Sequence, residues 1–346
     1  MRKYIKAILI LIFWIIRINW INFLKYYNSK SNNVIIFSSL VGKFGNEIFS
    51  WDLSAINYHI KNKINFRIVF NYNNIINSII YWSPSKGFVS SKHKNYTQEL
   101  FRIAKNLENN NNRIFPSSKE IILYENKSFM HKFFLKNNIN SPVTMIFKSI
   151  SELENSTLNF PIILKGEFSS GSSDIYRFND KNSLLNFLKN NSYLDSFDNI
   201  LIQEFLDIRM DLRVTIIKDE VVLFYWRKNP SNEWKPTASS YGSYIDFNEY
   251  PKKWKKFIIE EFKKTNMPMG AFDIAWDKDD LSKKPYILEF SPRFSPNPPI
   301  NFKSKFSYGN WKKYLFARNP YWKAQADFID KLNSKYITCI RADYIN

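Results

Sequence analysis

Cysteine is nearly absent from this chain, because Cys339 is the only one among its 346 residues. A single cysteine excludes an intrachain disulfide and a zinc site built from thiolates, and it fits a reducing compartment. Histidine is also scarce, with three residues far apart in the sequence: His59, His93 and His131. We expect His131, on a helix-like segment, to be a surface or packing residue rather than a ligand.

Acidic residues are outnumbered, since 31 Asp and Glu against 50 Lys and Arg give a formal net charge of +19. This charge favours an acidic partner, which can be nucleic acid, an anionic membrane surface or an acidic substrate. A coding bias toward Lys, Asn and Ile explains the same composition equally well. The basic residues form no stripe interleaved with stacking aromatics, so we expect no nucleic-acid partner.

No apolar run in the N-terminal segment is long enough to cross a bilayer. The run from Ala7 to Ile16 has 10 residues, whereas a spanning helix needs roughly 20. No small-residue cleavage site follows, so we expect no removed signal peptide. Residues 1–27 then have two interpretations: a helix in the membrane interface, with Trp14 and Trp20 at headgroup depth, or a helix docked on the protein's own core or a partner. We favour membrane association.

The pattern after the N-terminal segment alternates between strands and helices. Short apolar runs at 34–37, 66–70 and 79–82 predict strands, and residues 47–60 and 97–107 predict helices. This alternation predicts a small parallel α/β domain. The GKFGNE loop at residues 42–47 is a weak candidate for a phosphate loop, because two glycines at that spacing are common.

Lys165 ends the apolar run PIILK and is followed by the small-residue loop GEFSSGSSD. A lysine at this position can reach the α- and β-phosphates of a nucleotide. The loop, with Ser169, Ser170, Gly171 and Ser172, offers backbone N–H groups at low steric cost, so it can close over a triphosphate. A surface hairpin that ends in a solvated lysine is the alternative.

Two further segments carry polar residues at strand positions. Gln203, Glu204 and Leu206 lie where a strand leaves a buried sheet, which suits an adenine ring and ribose; an ordinary exposed strand end is the alternative. Asp211 and Arg213 alternate with apolar residues and therefore share one face of a strand. With Arg227 they suit transfer of a phosphoryl group, or they form a cross-strand ion pair.

Asp273 and Glu289 are carboxylates inside apolar runs, in AFDIAW and YILEFSP. A buried charge is costly unless it is paired or bound to a metal. Two such carboxylates on neighbouring strands can hold Mg²⁺ against nucleotide phosphates. Ser291 and, at the same parity, Arg293 follow Glu289 on the same side of the strand. The segment therefore predicts a metal site.

These motifs, in this order, resemble the ATP-grasp superfamily over residues 115 to 300. The DLRV segment with Asp211 and Arg213 is most similar to the glutamate-adding ligases, as is Arg227 with the following WKPTASSYGS. The resemblance implies an α/β (α+β) fold with an N-terminal parallel α/β domain, a small central α+β domain and a C-terminal antiparallel-sheet domain. Together with the sequence patterns above, the expected bounds are 1–30 for the membrane-associated segment, 34–115 for the N-terminal α/β domain, 116–206 for the central subdomain, 207–305 for the C-terminal subdomain with the metal site, and 306–346 for a helical tail.

The resemblance also implies roles for the residues named above. Lys127, in YENKSFMHK, and Lys165 would hold the phosphates of ATP, with the loop at 169–172 closing over them. The set that binds ATP also includes Gln203, Glu204, Leu206 and Asp211. Asp273, Glu289 and Ser291 would hold Mg²⁺, and the catalytic cations would be Arg213, Arg227 and Arg293.

The activity implied by the resemblance is an ATP-dependent carboxylate–amine ligase that works through an acyl phosphate. We expect it in the cytoplasm, peripheral on the inner face of a membrane, acting on a small molecule or an acidic polymer such as a peptide or glycan. Ser291 and Thr237 stand where the family usually has Asn, which puts the second metal in doubt. The alternatives are a phosphotransferase of the same fold, a catalytically degenerate nucleotide-binding protein, and a membrane-tethered scaffold.

Overall fold

The computed structural model describes residues 11–12, 14–37, 49–84, 96–169, 172, 174–191, 197–231, 233–238, 241–247, 250–292 and 320–345. The chain divides into two compact units. Unit 1 holds residues 1–122 and 293–346, and unit 2 holds residues 123–292. The GKFGNE loop at 42–47 and three expected site residues, Ser170, Gly171 and Arg293, lie outside the described residues.

The described elements follow one another in a mixed order of helices and strands. The strands are β1 (Asn33–Ile36), β2 (Arg67–Val69), β3 (Ile79–Tyr81), β4 (Arg113–Phe115), β5 (Thr144–Phe147), β6 (Ile162–Lys165), β7 (Ile175–Phe178), β8 (Ile200–Glu204), β9 (Met210–Ile217), β10 (Glu220–Lys228), β11 (Tyr244–Asp246), β12 (Met269–Ala275) and β13 (Tyr286–Ser291). The helices are α1 (Trp20–Tyr26), α2 (Phe49–Lys61), α3 (Tyr96–Asn109), α4 (Ser118–Ile121), α5 (Lys127–Lys136), α6 (Ile150–Glu154), α7 (Lys181–Asn190), α8 (Lys255–Lys263) and α9 (Pro320–Ile345).

Unit 1 is built around a parallel sheet with strand order β2-β1-β3-β4. Val34, Ile35 and Ile36 of β1 are fully buried, as expected for a central parallel strand that is covered on both faces. The predicted parallel α/β domain is therefore confirmed. The sequence pattern missed β4, because only Ile114 and Phe115 of this strand are apolar and they form no recognisable apolar run.

The C-terminal helix α9 packs against α2 within unit 1, and a buried carboxylate joins them. Asp330 accepts hydrogen bonds from Ser54 Oγ (2.9 Å) and Asn57 Nδ2 (2.8 Å) of α2. Its carboxylate also lies 3.0 Å from Nη2 of Arg17, in the N-terminal segment, and Arg17 pairs with Asp327 as well. Residues from both ends of the chain thus share one ion-pair cluster.

Unit 2 contains two antiparallel sheets. The smaller has the strand order β5-β8-β6-β7 and the larger β11-β10-β9-β12-β13. The hairpin predicted around residues 218–220 is the β9–β10 pair, whereas the three-residue edge strand β11 was missed. The two sheet types agree with the expected mixed α/β fold class, and the division of unit 2 at residue 206 stays a prediction.

Alternation decides which side chains face each core. Ile162 and Leu164 of β6 belong to the apolar cluster of the smaller sheet, so Lys165 faces the opposite side. In the larger sheet, the ring of Phe290 covers β12 so closely that a Cβ on Gly270 would lie 2.1 Å from it. Glycine at this position therefore permits the packing of β13 against β12.

Helix α5, which begins at Lys127, is fastened to the larger sheet. The Phe290 N–H of β13 donates to Sδ of Met130 at 3.2 Å. After the helix, Asn140 accepts from the Ile287 N–H at 2.7 Å through its carbonyl oxygen. These contacts hold the helix that carries one phosphate-binding candidate against the strand that carries Glu289.

Across the described residues, every helix is too short or too polar to cross a membrane. The membrane association expected for residues 1–27 stays a prediction.

The Asp330 cluster generates a prediction for stability. Replacing Asp330 by alanine leaves Arg17, Ser54 and Asn57 without their buried acceptor, and we expect a loss of about 3 kcal/mol in the unfolding free energy. Urea denaturation followed by tryptophan fluorescence measures it. Asp327→Ala is the matched control, because the Asp327 side chain is 52% exposed and its loss should cost less than about 1 kcal/mol. Equal losses in the two variants would contradict the cluster's role.

Candidate functional site

Four polar side chains stand in one row across the larger sheet of unit 2. The register sets Tyr225 of β10 beside Arg213 of β9, Arg213 beside Asp273 of β12, and Asp273 beside Glu289 of β13. Directly paired residues on neighbouring strands project from the same face of a sheet. The register shifts immediately after the last pair, as in a β-bulge, and such a bulge re-aims side chains. The two carboxylates predicted from sequence are therefore neighbours.

The carboxylates and arginines on this face form a linked set of ion pairs. Nη1 of Arg213 donates to both Asp273 oxygens, at 2.8 and 3.0 Å. Arg227 donates through Nε to Asp211 at 2.8 Å, and its Nη2 lies 3.0 Å from Asp273 Oδ2. The cross-strand ion pair considered for Asp211, Arg213 and Arg227 is thus present. The arginines also line the face that carries the candidate metal ligands.

The charge state of Asp273 follows from this arrangement. Burial alone would raise the pKa of Asp273, but Arg213 and Arg227 outweigh burial and hold that pKa below its usual value. Asp273 is therefore an anion near neutral pH, and its charge compensates two buried cations.

Lys127 stands at the first turn of α5 and is buried, with 5% of its surface exposed. Its Nζ donates to the backbone oxygen of Ser169 and lies 3.2 Å from the Ser169 hydroxyl. Asn126 caps the helix by accepting from the Phe129 N–H. The ammonium group thus reaches the loop that is expected to close over the phosphates.

Lys165 connects the two sheets electrostatically. Burial lowers its pKa from 10.5 to about 8; Glu289 and Asp273 oppose this decrease, and Lys127 adds to it. The charges of both carboxylates and of Lys127 thus act on the Lys165 ammonium. The structure therefore brings together four residues that the sequence motifs named separately.

The loop after Lys165 is closed at its base by a hydrogen bond of 2.7 Å from the Gly166 N–H to the Asp174 carbonyl. A Cβ on Gly166 would lie 2.6 Å from the Asp174 Cβ, so this close approach requires glycine. Ser169 is buried and its hydroxyl donates to the Gly166 carbonyl. Ser172 has a φ of 61°, a left-handed conformation that suits a tight loop.

Glu167 is a residue that sequence reasoning missed. It is 1% exposed, and its carboxylate accepts from the Asp198 N–H (2.9 Å), the Asn199 N–H (3.0 Å), the Asn199 side chain and the Ser128 hydroxyl. Its carbonyl accepts from the Lys127 N–H at 3.0 Å. Glu167 therefore ties the loop to α5 and to the start of β8. The sequence feature that could have indicated this role is an acidic residue between Lys165 and the serines.

The expected adenine hinge has a defined set of contacts. Glu204 Oε1 accepts from the Val143 N–H at 2.8 Å, and Leu206 is buried. Gln203 donates from Nε2 to the Thr144 hydroxyl at 2.8 Å. The side chains of Gln203 and Glu204 thus hold β8 to the segment around β5, and their contact with adenine remains a proposal.

His131 is buried on α5, four residues after Lys127. Burial lowers its pKa well below 6.5, and Lys165 and Lys127 act in the same direction. Its Nε2 lies 3.5 Å from the Gln203 amide nitrogen. The ring is therefore a neutral packing residue behind the lysines rather than a surface side chain.

Few carboxylates of this sheet face are available to a magnesium ion. Within the described part of the chain, no group of three or more His, Cys, Asp or Glu side chains could hold a metal ion. Magnesium in nucleotide sites usually takes one or two protein carboxylates, with phosphates and waters completing its shell. Asp273 and Glu289, with Ser291 on the same face of β13, match that composition. Arg213 already donates to both Asp273 oxygens, so the protein alone offers few free ligands to the ion. The residues therefore fit magnesium that binds together with phosphates, which supply the remaining ligands.

Comparisons with known proteins show what part of unit 2 is similar to. A family model described as a RimK-like ATP-grasp domain matches residues 124–240. The chain is 26% identical over 136 residues to the coenzyme gamma-F420-2:alpha-L-glutamate ligase of Methanococcus maripaludis, an alignment covering 37% of this chain and 46% of that ligase. The chain thus spans less than half the length of this curated relative.

Solved structures show the same fold over most of the chain. D-alanine–D-alanine ligase from Bacillus anthracis aligns with a TM-score of 0.54 and 12% identity, covering 90% of this chain and 98% of the ligase. A RimK domain ATP-grasp protein from Sphaerobacter thermophilus aligns with a TM-score of 0.50 and 10% identity, covering 86% and 99%. The predicted ATP-grasp fold is confirmed.

The lowered pKa of Lys165 predicts how nucleotide affinity depends on pH. The pKa of Lys165 is about 8 in the folded protein and 10.5 ordinarily. Below pH 8 the buried lysine is protonated, and this charge lowers the stability of the fold. The loss of stability disappears as the pH rises from 8 to 10.5. Phosphates favour the protonated form. We therefore expect the affinity for a non-hydrolysable ATP analogue to fall by up to about tenfold per pH unit above pH 8.

Lys165→Arg is the matched control for this titration, because a guanidinium group stays charged throughout the range. Isothermal titration calorimetry of both proteins at several pH values should show a steep decrease in affinity for the wild type and a flatter profile for the variant. Parallel profiles would contradict the assignment.

The contacts of Glu167 predict a second effect. In Glu167→Gln the charge of the carboxylate is lost and one of its two oxygens becomes an NH₂ group that can no longer accept, so the anchor of the loop is weakened. We expect the dissociation constant of the ATP analogue to increase by at least about tenfold, since 1.4 kcal/mol is tenfold. Ser128→Ala, which removes one of the donors, should change it by less than about fivefold. An unchanged affinity in Glu167→Gln would show that the anchor does not position the lysines.

Proposed function

We propose that this member of the ATP-grasp superfamily, which lies near the family's glutamate-adding ligases, is an ATP-dependent carboxylate–amine ligase. One observation carries the proposal: Arg213, Asp273 and Glu289 share a sheet face beside Lys165 and Lys127. Such a face supplies cations for phosphates and carboxylates for a metal ion in one place. Positioned charges of this kind are the main requirement of phosphoryl transfer.

The proposed reaction has two steps. A substrate carboxylate oxygen attacks the γ-phosphorus of ATP, the bond to the β-phosphate oxygen breaks, and ADP and an acyl phosphate form. An amine nitrogen then attacks the acyl carbon, the C–N bond forms, and inorganic phosphate leaves as the nitrogen loses a proton to solvent. This sequence needs no covalent nucleophile from the protein, which agrees with the scarcity of Cys and His.

Some of the residues would bind ATP, and others would stabilise charge during the reaction. Lys127 and Lys165 hold the α- and β-phosphates, and the loop at 169–172 closes over the triphosphate. The segment 203–206, with Asp211 nearby in sequence, receives adenine and ribose. Arg213, Arg227 and Arg293 stabilise the oxygens of the acyl phosphate.

Asp273, Glu289 and Ser291 are the residues that would hold magnesium. When bound with ATP, the ion would neutralise charge that develops on the transferred phosphoryl group. Asp273 would be shared between the ion and Arg213, whose Nη1 donates to both of its oxygens.

The substrate class is inferred from charge and from the relatives. The net charge of +19 favours an acidic acceptor, such as an acidic peptide or glycan. The Methanococcus relative is described as an α-L-glutamate ligase, which supports an amino acid as the amine. Use of ATP places the proposed activity in the cytoplasm.

A second function is favoured by one specific feature. Ser291 stands where the family usually has Asn, and its shorter side chain weakens a second metal position. A protein that binds ATP without turnover would have this composition. The two functions differ in whether bound ATP is consumed.

The test measures ADP release and product mass with purified protein, magnesium, ATP and a panel of carboxylates and amines. With a carboxylate and hydroxylamine, an acyl phosphate gives a hydroxamate, which reports the first step separately. We expect Glu289→Gln and Lys165→Ala each to reduce turnover by at least about 100-fold, the scale of losing one charge-stabilising group.

Lys256→Ala is the matched control for Lys165→Ala, because the Lys256 side chain is 90% exposed on α8 and should leave turnover unchanged. A stable phosphorylated product with no need for an amine would indicate a phosphotransferase. Analogue binding without any ADP release across the panel would favour the nucleotide-binding protein over the ligase.

A further inference from the structure

The N-terminal segment divides its side chains between two sides. Trp14 and Ile18 are buried, at 2% and 5% exposure. Arg17, on the same side, pairs with Asp330 and Asp327 of α9, and its guanidinium carbon lies 5.8 Å from the centre of the Trp14 ring. One side of this segment is therefore anchored to unit 1.

Helix α1 continues this anchoring. The Phe23 ring contacts Phe66 at a centroid distance of 5.5 Å, and Tyr27 forms a parallel bridge to Phe66 next to β2. Asn19 caps the helix by accepting from the Asn22 N–H at 3.0 Å. The orientation of α1 about its own axis is thus fixed by the fold.

The opposite side of the segment carries exposed apolar side chains, which we call the outer face: Ile16, Trp20, Ile21 and Leu24. Their exposed fractions are 76%, 46%, 82% and 75%. At about 100° per residue, Trp20, Leu24 and Ile21 form one arc of α1. Trp20 Nε1 donates to the Ile15 carbonyl at 3.0 Å, which joins α1 to the preceding helical residues 14–17. A contiguous apolar patch of this kind marks an interaction site.

We infer that the outer face docks into the interface of an anionic lipid bilayer. Aliphatic side chains with a tryptophan, bordered by lysine, are the composition of helices that lie in the membrane plane. Lys25 lies about 40° beyond Ile21, at the border of this arc, and is exposed, as is Lys30 just after the helix. Their ammonium groups would meet the lipid phosphates at headgroup depth.

Charge favours this partner over a second copy of the chain. Each molecule carries a net charge of +19, so two copies repel one another, whereas an anionic surface attracts the protein. The outer face would enter only the headgroup boundary, because its anchored side stays on unit 1. One side of the segment thus packs on the protein, and the other side would contact the membrane.

A truncation is a poor test of this surface. Removing the residues before Ser31 would also remove Trp14, Ile18 and Arg17, which pack or pair inside unit 1. Substitutions confined to the outer face leave those contacts in place.

The experiment is flotation of the full-length protein with phosphatidylcholine vesicles, with or without phosphatidylglycerol. We expect the wild type to float with the anionic vesicles and weakly with the neutral ones. The variant Ile16→Ser, Ile21→Ser, Leu24→Ser should lose at least about tenfold in partitioning onto anionic vesicles. Lys25→Glu should weaken binding to the anionic vesicles alone.

The matched control replaces three exposed aliphatic residues elsewhere, Ile76→Ser, Leu135→Ser and Val143→Ser, at 60%, 80% and 63% exposure. It should float like the wild type, and thermal unfolding should confirm that both triple variants are folded. A wild type that stays unbound, or an outer-face variant that floats equally well, would overturn the proposal. A wild-type dimer that the outer-face variant converts to a monomer would assign the surface to a second copy instead.

Discussion

The candidate site depends on one buried carboxylate, Asp273, which lies between two arginines. Arg213 and Arg227 are themselves largely buried, and a buried cation without its partner costs several kcal/mol. The arginines therefore need Asp273, and Asp211 completes the balance for Arg227. The same constraint applies to the proposed function. Negative phosphates and a positive magnesium ion should bind together, because binding both keeps the buried charges balanced.

Backbone register, rather than flexible loops, assembles most of the site. The pairing of β9, β12 and β13 aligns Arg213, Asp273 and Glu289 in one row, and α5 is fastened to the same sheet through Met130. Glu167 then holds the base of the serine-rich loop to α5. The charged groups are thus preorganised before any nucleotide binds, which is the arrangement that phosphoryl transfer requires.

The sequence predicts those candidate residues that stand out by their charge in an apolar pattern. Asp273 and Glu289 are candidates because a carboxylate inside an apolar run is unusual, and the structure pairs them on neighbouring strands. Lys165 is a candidate because it ends such a run, and the roles of all three stay predictions. The bulge just before Glu289 and the roles of Glu167 and Asp330 were not predictable, because each depends on contacts between residues far apart in the chain. The N-terminal segment allowed two interpretations because a hydropathy pattern cannot say which side of a helix its own protein covers.

The most direct test of the central claim is the linkage between nucleotide and magnesium binding, measured by calorimetry on the wild-type protein. Because Arg213 occupies the Asp273 oxygens, magnesium alone should bind weakly. A non-hydrolysable ATP analogue should bind markedly tighter with magnesium than without it. The account would be contradicted by folded protein that fails to bind the analogue with magnesium, or by magnesium that binds equally well with and without nucleotide.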